Sequence, residues 1–143
     1  MSTKVQTVYI SDLSTQCRQS LFDGRVPAGF PSPAADYEED MLDLNKHLIR
    51  HPAATFFVRA IGDSMIGAGI HCGDLLVVDR SLEARDRSVV IAAVNGELTV
   101  KRIRISNKKI TLVPENDSYS AQQVGEDAEF EVWGVVTSVI HEL

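Results

Sequence analysis

The run Ser88-Val89-Val90-Ile91-Ala92-Ala93-Val94-Asn95-Gly96-Glu97-Leu98-Thr99-Val100-Lys101-Arg102-Ile103 reads as two β-strands joined by a two-residue turn. Asn-Gly is the strongest short hairpin signal, because a turn with φ > 0 at both positions matches the twist of the flanking strands and these two residues adopt it readily. Upstream, Thr55-Phe56-Phe57-Val58-Arg59-Ala60 and Asp74-Leu75-Leu76-Val77-Val78 share this β-branched and aromatic texture, as do Lys109 to Val113 and Phe130 to Ile140 downstream. Several short strands set off by turn residues predict a mainly β domain. A single short helix is expected over about 36 to 48, where Asp36 and Glu39 have capping-box form and Met41, Leu44 and Leu48 follow at helical spacing. No internal repeat is visible.

Three of the five prolines fall in Val26-Pro27-Ala28-Gly29-Phe30-Pro31-Ser32-Pro33. Proline fixes φ and lacks a backbone donor, so this segment is predicted to be extended, outside any helix or central strand, and open to proteases. The expected division is an amino-terminal arm over residues 1–35 and a β domain over residues 36–143. A composition of 44% hydrophobic and 24% charged residues in a chain of 143 is ordinary for one globular core. Such a core folds without disulfides.

The two cysteines, Cys17 and Cys72, show no zinc-site spacing and read as free thiols in a reducing compartment. No metal or cofactor is expected. The amino terminus lacks a basic segment followed by an apolar run, and no stretch approaches the roughly 18 apolar residues of a membrane span. These features predict a cytoplasmic protein. A net charge of −6 argues against direct binding to duplex DNA, which requires clustered lysine and arginine. Any nucleic acid is then reached through a partner.

Gly62-Asp63-Ser64-Met65, followed by Ile66-Gly67-Ala68-Gly69-Ile70, offers a serine on a tight turn, with neighbouring amides available to an oxyanion. Serine is also a common plain turn residue. The four histidines, His47, His51, His71 and His141, form no recognisable triad pattern and read as structural or surface residues. The alternative base is Lys101, on the second hairpin strand. Partial burial there disfavours the ammonium form and frees an amine to take the serine proton. Lys101 equally fits a charge guarding an exposed strand edge.

Phe30-Pro31-Ser32-Pro33-Ala34-Ala35-Asp36-Tyr37, Gly62-Asp63-Ser64-Met65, Gly73-Asp74-Leu75-Leu76-Val77-Val78-Asp79, the hairpin from Ile91 to Lys101 and Trp133-Gly134-Val135-Val136 resemble, in order and spacing, the UmuD branch of the LexA-like self-cleaving proteins. The resemblance covers about residues 26 to 140. It implies a LexA carboxy-terminal or signal-peptidase-like fold of curved antiparallel sheets with a flexible amino-terminal arm. It also implies Ser64 as nucleophile, Lys101 as general base and Ala28–Gly29 as the scissile bond. Further implications are a homodimer, cleavage stimulated by a RecA filament on single-stranded DNA, and service of the product to a UmuC-like translesion polymerase subunit in the SOS response. Ala28 stands where the best-known UmuD has cysteine, while the LexA-like repressors use Ala-Gly.

Ser64 lies 35 positions after Gly29, and an extended chain spans up to roughly 3.3 Å per residue, so the arm reaches its own site; cleavage of a neighbouring protomer is equally allowed. A LexA-like self-inactivating regulator is the alternative, although 28 residues before the cut are too few for a helix-turn-helix domain, so it would lack its own DNA-binding domain. A signal-peptidase-like housekeeping enzyme shares the serine/lysine logic but calls for a membrane anchor.

Overall fold

The computed structural model describes residues 2–12, 14, 18–22 and 38–143. The Pro27–Pro33 segment with Ala28 and Gly29, and also Asp36 and Cys17, lie outside these residues. The chain divides into two compact units, residues 1–11 with 51–143, and residues 12–50. The strands are β1 (Lys4–Ile10), β2 (Arg18–Phe22), β3 (Glu38–Asp43), β4 (Thr55–Ile61), β5 (Leu75–Asp79), β6 (Val89–Val94), β7 (Glu97–Ser106), β8 (Lys109–Val113), β9 (Gln122–Gln123) and β10 (Phe130–Ile140). One short α-helix, α1, spans Leu44–Leu48. Among the described residues no helix is long and apolar enough to cross a membrane.

The protein is mainly β, as the sequence predicts. In the larger unit the strands form one antiparallel sheet in the order β1-β4-β5-β10-β6-β7-β8-β9, and β1 also pairs with β7 at Lys4↔Thr99. That extra pairing joins the first six strands of this order into a barrel-like sheet, closed where the start of β1 meets β7. The β6–β7 hairpin forms in the register Val94↔Glu97 to Val89↔Arg102, and Asn95 (φ 50°) and Gly96 (φ 81°) both take the left-handed conformation its turn demands.

Side chains alternate across the sheet, so consecutive residues of β6 serve opposite faces. Ile91 joins a core of Phe56, Val58, Ala60, Met65, Ile70, Leu76, Val78 and Val100. Val90 and Ala92 join a second cluster with Ile103 and Leu112. β10 follows the barrel curvature through bulges between Val132 and Gly134 and between Val136 and Ser138. At Gly134 a Cβ would stand 2.7 Å from Val78 Cγ1, so the close crossing of β10 over β5 admits only glycine.

Several elements differ from the sequence reading, β2 within the expected arm and the short β9 among them. Lys4–Ile10, placed within the arm, is strand β1 and pairs with β4 from Lys4↔Ile61 to Ile10↔Phe56. In the smaller unit Glu38–Asp43 is a strand paired with β2, and among its described residues the α-helix spans Leu44–Leu48. The Asp43 carboxylate accepts from the Asn45 amide and caps that helix, so the cap stands seven residues after Asp36. Spacing at three and four residues fitted a helix, but strand pairing supplies the backbone partners for residues 38–43.

Candidate functional site

β4 ends at Ile61, and Gly62, at φ 103°, turns the chain so that Asp63 and Ser64 leave the sheet. Met65, fully buried, anchors the following turn in the core. The serine loop is also braced from the β8–β9 connection. The Glu115 amide donates to the Ser64 carbonyl at 2.8 Å, and the Gly67 amide donates to the Glu115 carbonyl at 2.7 Å. A Cβ on Gly67 would stand 2.7 Å from that carbonyl oxygen, so this brace requires glycine. Asn116 Nδ2 donates to the Asp63 carbonyl at 3.0 Å, and the Tyr119 hydroxyl donates to the Asp63 carboxylate, holding its pKa below the usual carboxylate range. Sequence reasoning did not find Glu115, Asn116 or Tyr119, because they brace the loop from far along the chain, Glu115 through its backbone and the other two through side chains, and carry no local motif.

Lys101 sits on β7 opposite Val90 of β6. Its Nζ lies 2.9 Å from Ser64 Oγ, 2.7 Å from Ser2 Oγ and 3.2 Å from the Val100 carbonyl oxygen. The fold therefore brings Ser64 and Lys101 together, whereas Ala28 and Gly29 lie outside the described residues. Burial, assisted by the nearby Lys4 charge and opposed by Glu97, lowers the Lys101 pKa to about 8. At pH 7 roughly one amine in ten is then neutral, against roughly three in ten thousand for a lysine titrating at 10.5. Such an amine is a competent base for a hydroxyl within hydrogen-bond reach.

The other partner of the Ser64 hydroxyl is the start of β1. The Thr3 amide donates to Ser64 Oγ at 2.7 Å, and the Thr3 carbonyl accepts from the Val100 amide and from Thr99 Oγ1, both at 3.1 Å. Ser64 and Thr3 are both fully buried. Lys4 pairs with Glu97 beside them. Residues 2 to 4 thus lie along β7 as an added strand, the way an extended peptide engages a sheet edge. A cavity of about 360 Å³ adjoins this strand, with Ser2, Lys4, Glu97, Thr99, Lys101 and Gln122 among its walls.

No histidine is a partner of Ser64 among the described hydrogen bonds. His51 Nδ1 instead meets the Asp79 carboxylate at 2.6 Å, and His141 Nδ1 meets that of Asp74 at 2.5 Å.

A profile of the family described as Peptidase S24-like matches residues 20–137. Protein SamA of Salmonella typhimurium is 52% identical over 126 residues, covering 88% of this chain and 87% of its own. Protein ImpA of Escherichia coli is 49% identical over 121 residues, 85% of this chain and 82% of its own. Protein MucA of Escherichia coli is 46% identical over 114 residues, 79% and 77% respectively.

Proposed function

Since this chain belongs to the Peptidase S24-like family, among its UmuD-type, LexA-like proteases, we infer that it is a serine peptidase whose substrate is its own Ala28–Gly29 bond. The observation that carries this reading is the 2.9 Å contact between Lys101 Nζ and Ser64 Oγ, made by a lysine whose pKa is lowered to about 8. Neutral Lys101 takes the hydroxyl proton as Ser64 Oγ bonds to the Ala28 carbonyl carbon. Amides of the Gly62–Met65 turn hold the oxyanion. The Ala28–Gly29 C–N bond then breaks and Lys101 returns its proton to the departing Gly29 amine. Water, deprotonated by the same lysine, hydrolyses the acyl-serine and restores both side chains.

In this reading the protein is a cytoplasmic homodimer of the SOS response. A RecA filament on single-stranded DNA stimulates the cut, and the product from Gly29 onward joins a UmuC-like translesion polymerase. The net charge of −6 accords with reaching DNA through such partners. The test is incubation of the full chain with RecA, nucleotide and single-stranded DNA. A 115-residue fragment, what remains of 143 after residues 1–28, is expected to accumulate much faster when all three are present than when any is omitted. Equal accumulation with RecA omitted would remove RecA from the scheme, and a chain left intact with all three present would overturn self-cleavage.

The sign of the pH dependence follows from the base. Lys101 acts when neutral, so unstimulated cleavage rises with pH, by roughly tenfold between pH 7 and pH 9, and levels off above its pKa of about 8. A rate independent of pH over that interval would exclude Lys101 as the base.

The resident strand gives a reason for slow cleavage without a stimulus. Thr3 and Ser2 fill the space beside Ser64 Oγ that a scissile carbonyl needs. Four hydrogen bonds tie them there, each worth a net of about 1 kcal/mol, so the cleft is open in only a small fraction of molecules. Thr3→Pro, which removes the amide that holds Ser64 Oγ and keeps the Lys4↔Thr99 pairing, is expected to raise the unstimulated rate severalfold. An unchanged rate, read from the time course of the 115-residue fragment, would show that the strand is no barrier.

A further inference from the structure

At the end of the sheet where β5 begins and β10 ends, three potential metal ligands converge. Asp74 precedes β5 directly. His71 lies three residues before it, in a turn where the His71 amide donates to Asp74 Oδ2 at 2.7 Å and the Asp74 amide donates to the His71 carbonyl at 3.1 Å. His141 directly follows β10, and the Ile140↔Leu75 pairing carries it to Asp74. Two paired strands and a hydrogen-bonded turn therefore hold all three residues.

We propose that His71, Asp74 and His141 form a binding site for a zinc-type divalent cation. One ligand atom from each lies within 4.8 Å of the others. His141 Nδ1 is 2.5 Å from Asp74 Oδ1, and His71 Nδ1 is 3.7 Å from Asp74 Oδ2. These separations run to the two different carboxylate oxygens. Tetrahedral zinc, with bonds of about 2.0–2.2 Å, sets its ligand atoms roughly 3.4 Å apart, so the His141–Asp74 contact must open for the ion to enter.

The two imidazoles stand with centroids 4.8 Å apart and planes tilted by 40°, which keeps them from stacking face to face. Asp74 is 3% exposed while the histidine side chains are about half exposed. The carboxylate forms the floor, oriented by the His71 amide as an outer-shell donor orients a ligand, and the imidazoles form the rim. A cavity of about 230 Å³ beside Asp74 and His141, bounded also by Arg59, Cys72 and Glu142, gives water access to this end of the cluster.

Two imidazole nitrogens with one carboxylate oxygen and a fourth position open is a zinc ligand set. Magnesium and calcium prefer all-oxygen surroundings and are selected against. A bound ion ties the end of β10 to the turn that follows the Ser64 loop, adding a cross-link that single-sequence spacing hides, since Asp74 and His141 are 67 residues apart.

The test is zinc titration of the full chain against a chromophoric chelator, with thermal unfolding in parallel. One zinc per chain is expected to bind with a dissociation constant in the micromolar range or tighter and to raise the melting temperature, whereas millimolar magnesium does neither. Loss of an outer-shell partner alone costs about 10–100-fold in affinity, so replacing both imidazoles in His71→Ala/His141→Ala is expected to weaken binding by at least about a hundredfold. His47→Ala, remote in sequence and outside the set, is expected to leave affinity unchanged. His141→Gln, which keeps a polar side chain at the rim, provides the reading if the double variant folds poorly: it too must weaken zinc by at least about tenfold. No binding at tens of micromolar zinc, or equal stoichiometry and affinity in these variants, would overturn the site and assign any zinc uptake to the thiols.

Discussion

Ser64→Ala and Lys101→Ala are each expected to slow self-cleavage by a factor on the order of a thousand or more, and the double variant is expected to be little worse than either alone. The reason is chemical coupling: without the amine the hydroxyl keeps its proton, and without the hydroxyl the amine has no nucleophile to activate. The 2.9 Å separation makes them one unit. Lys101→Arg is the sharper probe, because it keeps a long cationic side chain whose guanidinium does not deprotonate in a protein, and it is expected to be as inactive as the alanine variant.

Folding survives these changes. Lys101 is half-buried against its own charge, so its loss relieves desolvation, while Ser64→Ala leaves the Thr3 amide without its acceptor at a cost of about 1–3 kcal/mol. Quantifying the fragments over time, alongside melting curves, separates chemistry from stability. Appreciable cleavage by Lys101→Arg would rule out the lysine base.

The hairpin read from Ser88 to Ile103 was legible because its information is local: β-branched residues on both sides of an Asn-Gly pair leave one register open. β1 was not. Its partners Ile61 and Thr99 lie far along the chain, and Lys4, Gln6 and Thr7 soften the apolar alternation that would have marked a strand. The stretch ending at Asp43 misled for the opposite reason, since Met41, Leu44 and Leu48 satisfy helical spacing whether or not residues 38–43 are helical. Ser64 and Lys101 were each recognisable by type and setting. Their pairing came from family resemblance, because barrel closure through β1 brings the end of β4 to β7 and no spacing rule encodes such a closure. The His71, Asp74 and His141 cluster was hidden similarly by the β5–β10 register.

Replacing Gly29 with isoleucine or valine is expected to reduce self-cleavage by at least about a hundredfold while leaving the melting temperature of the β barrel unchanged. The nucleophile must come within about 3 Å of the Ala28 carbonyl carbon, and a displacement of an ångström at that distance costs roughly a hundredfold in rate. Glycine on the leaving side lets the backbone approach and twist where a β-branched side chain collides. The variant retains Ser64 and Lys101, so its chemistry is intact and its own arm is the defect. Mixed with Ser64→Ala chains, whose arms are normal and whose nucleophile is gone, it is expected to cut the partner's arm in a mixed dimer. The Ser64→Ala chain then yields a fragment of 115 residues beginning at Gly29, while the Gly29 variant stays whole. Mass spectrometry distinguishes the two chains in one tube. A new amino terminus at any other residue, or normal self-cleavage of the β-branched variant, would refute Ala28–Gly29 as the scissile bond. A mixture in which neither chain is cut would confine the reaction to a chain's own arm, and the Gly29 variant alone would still report the bond.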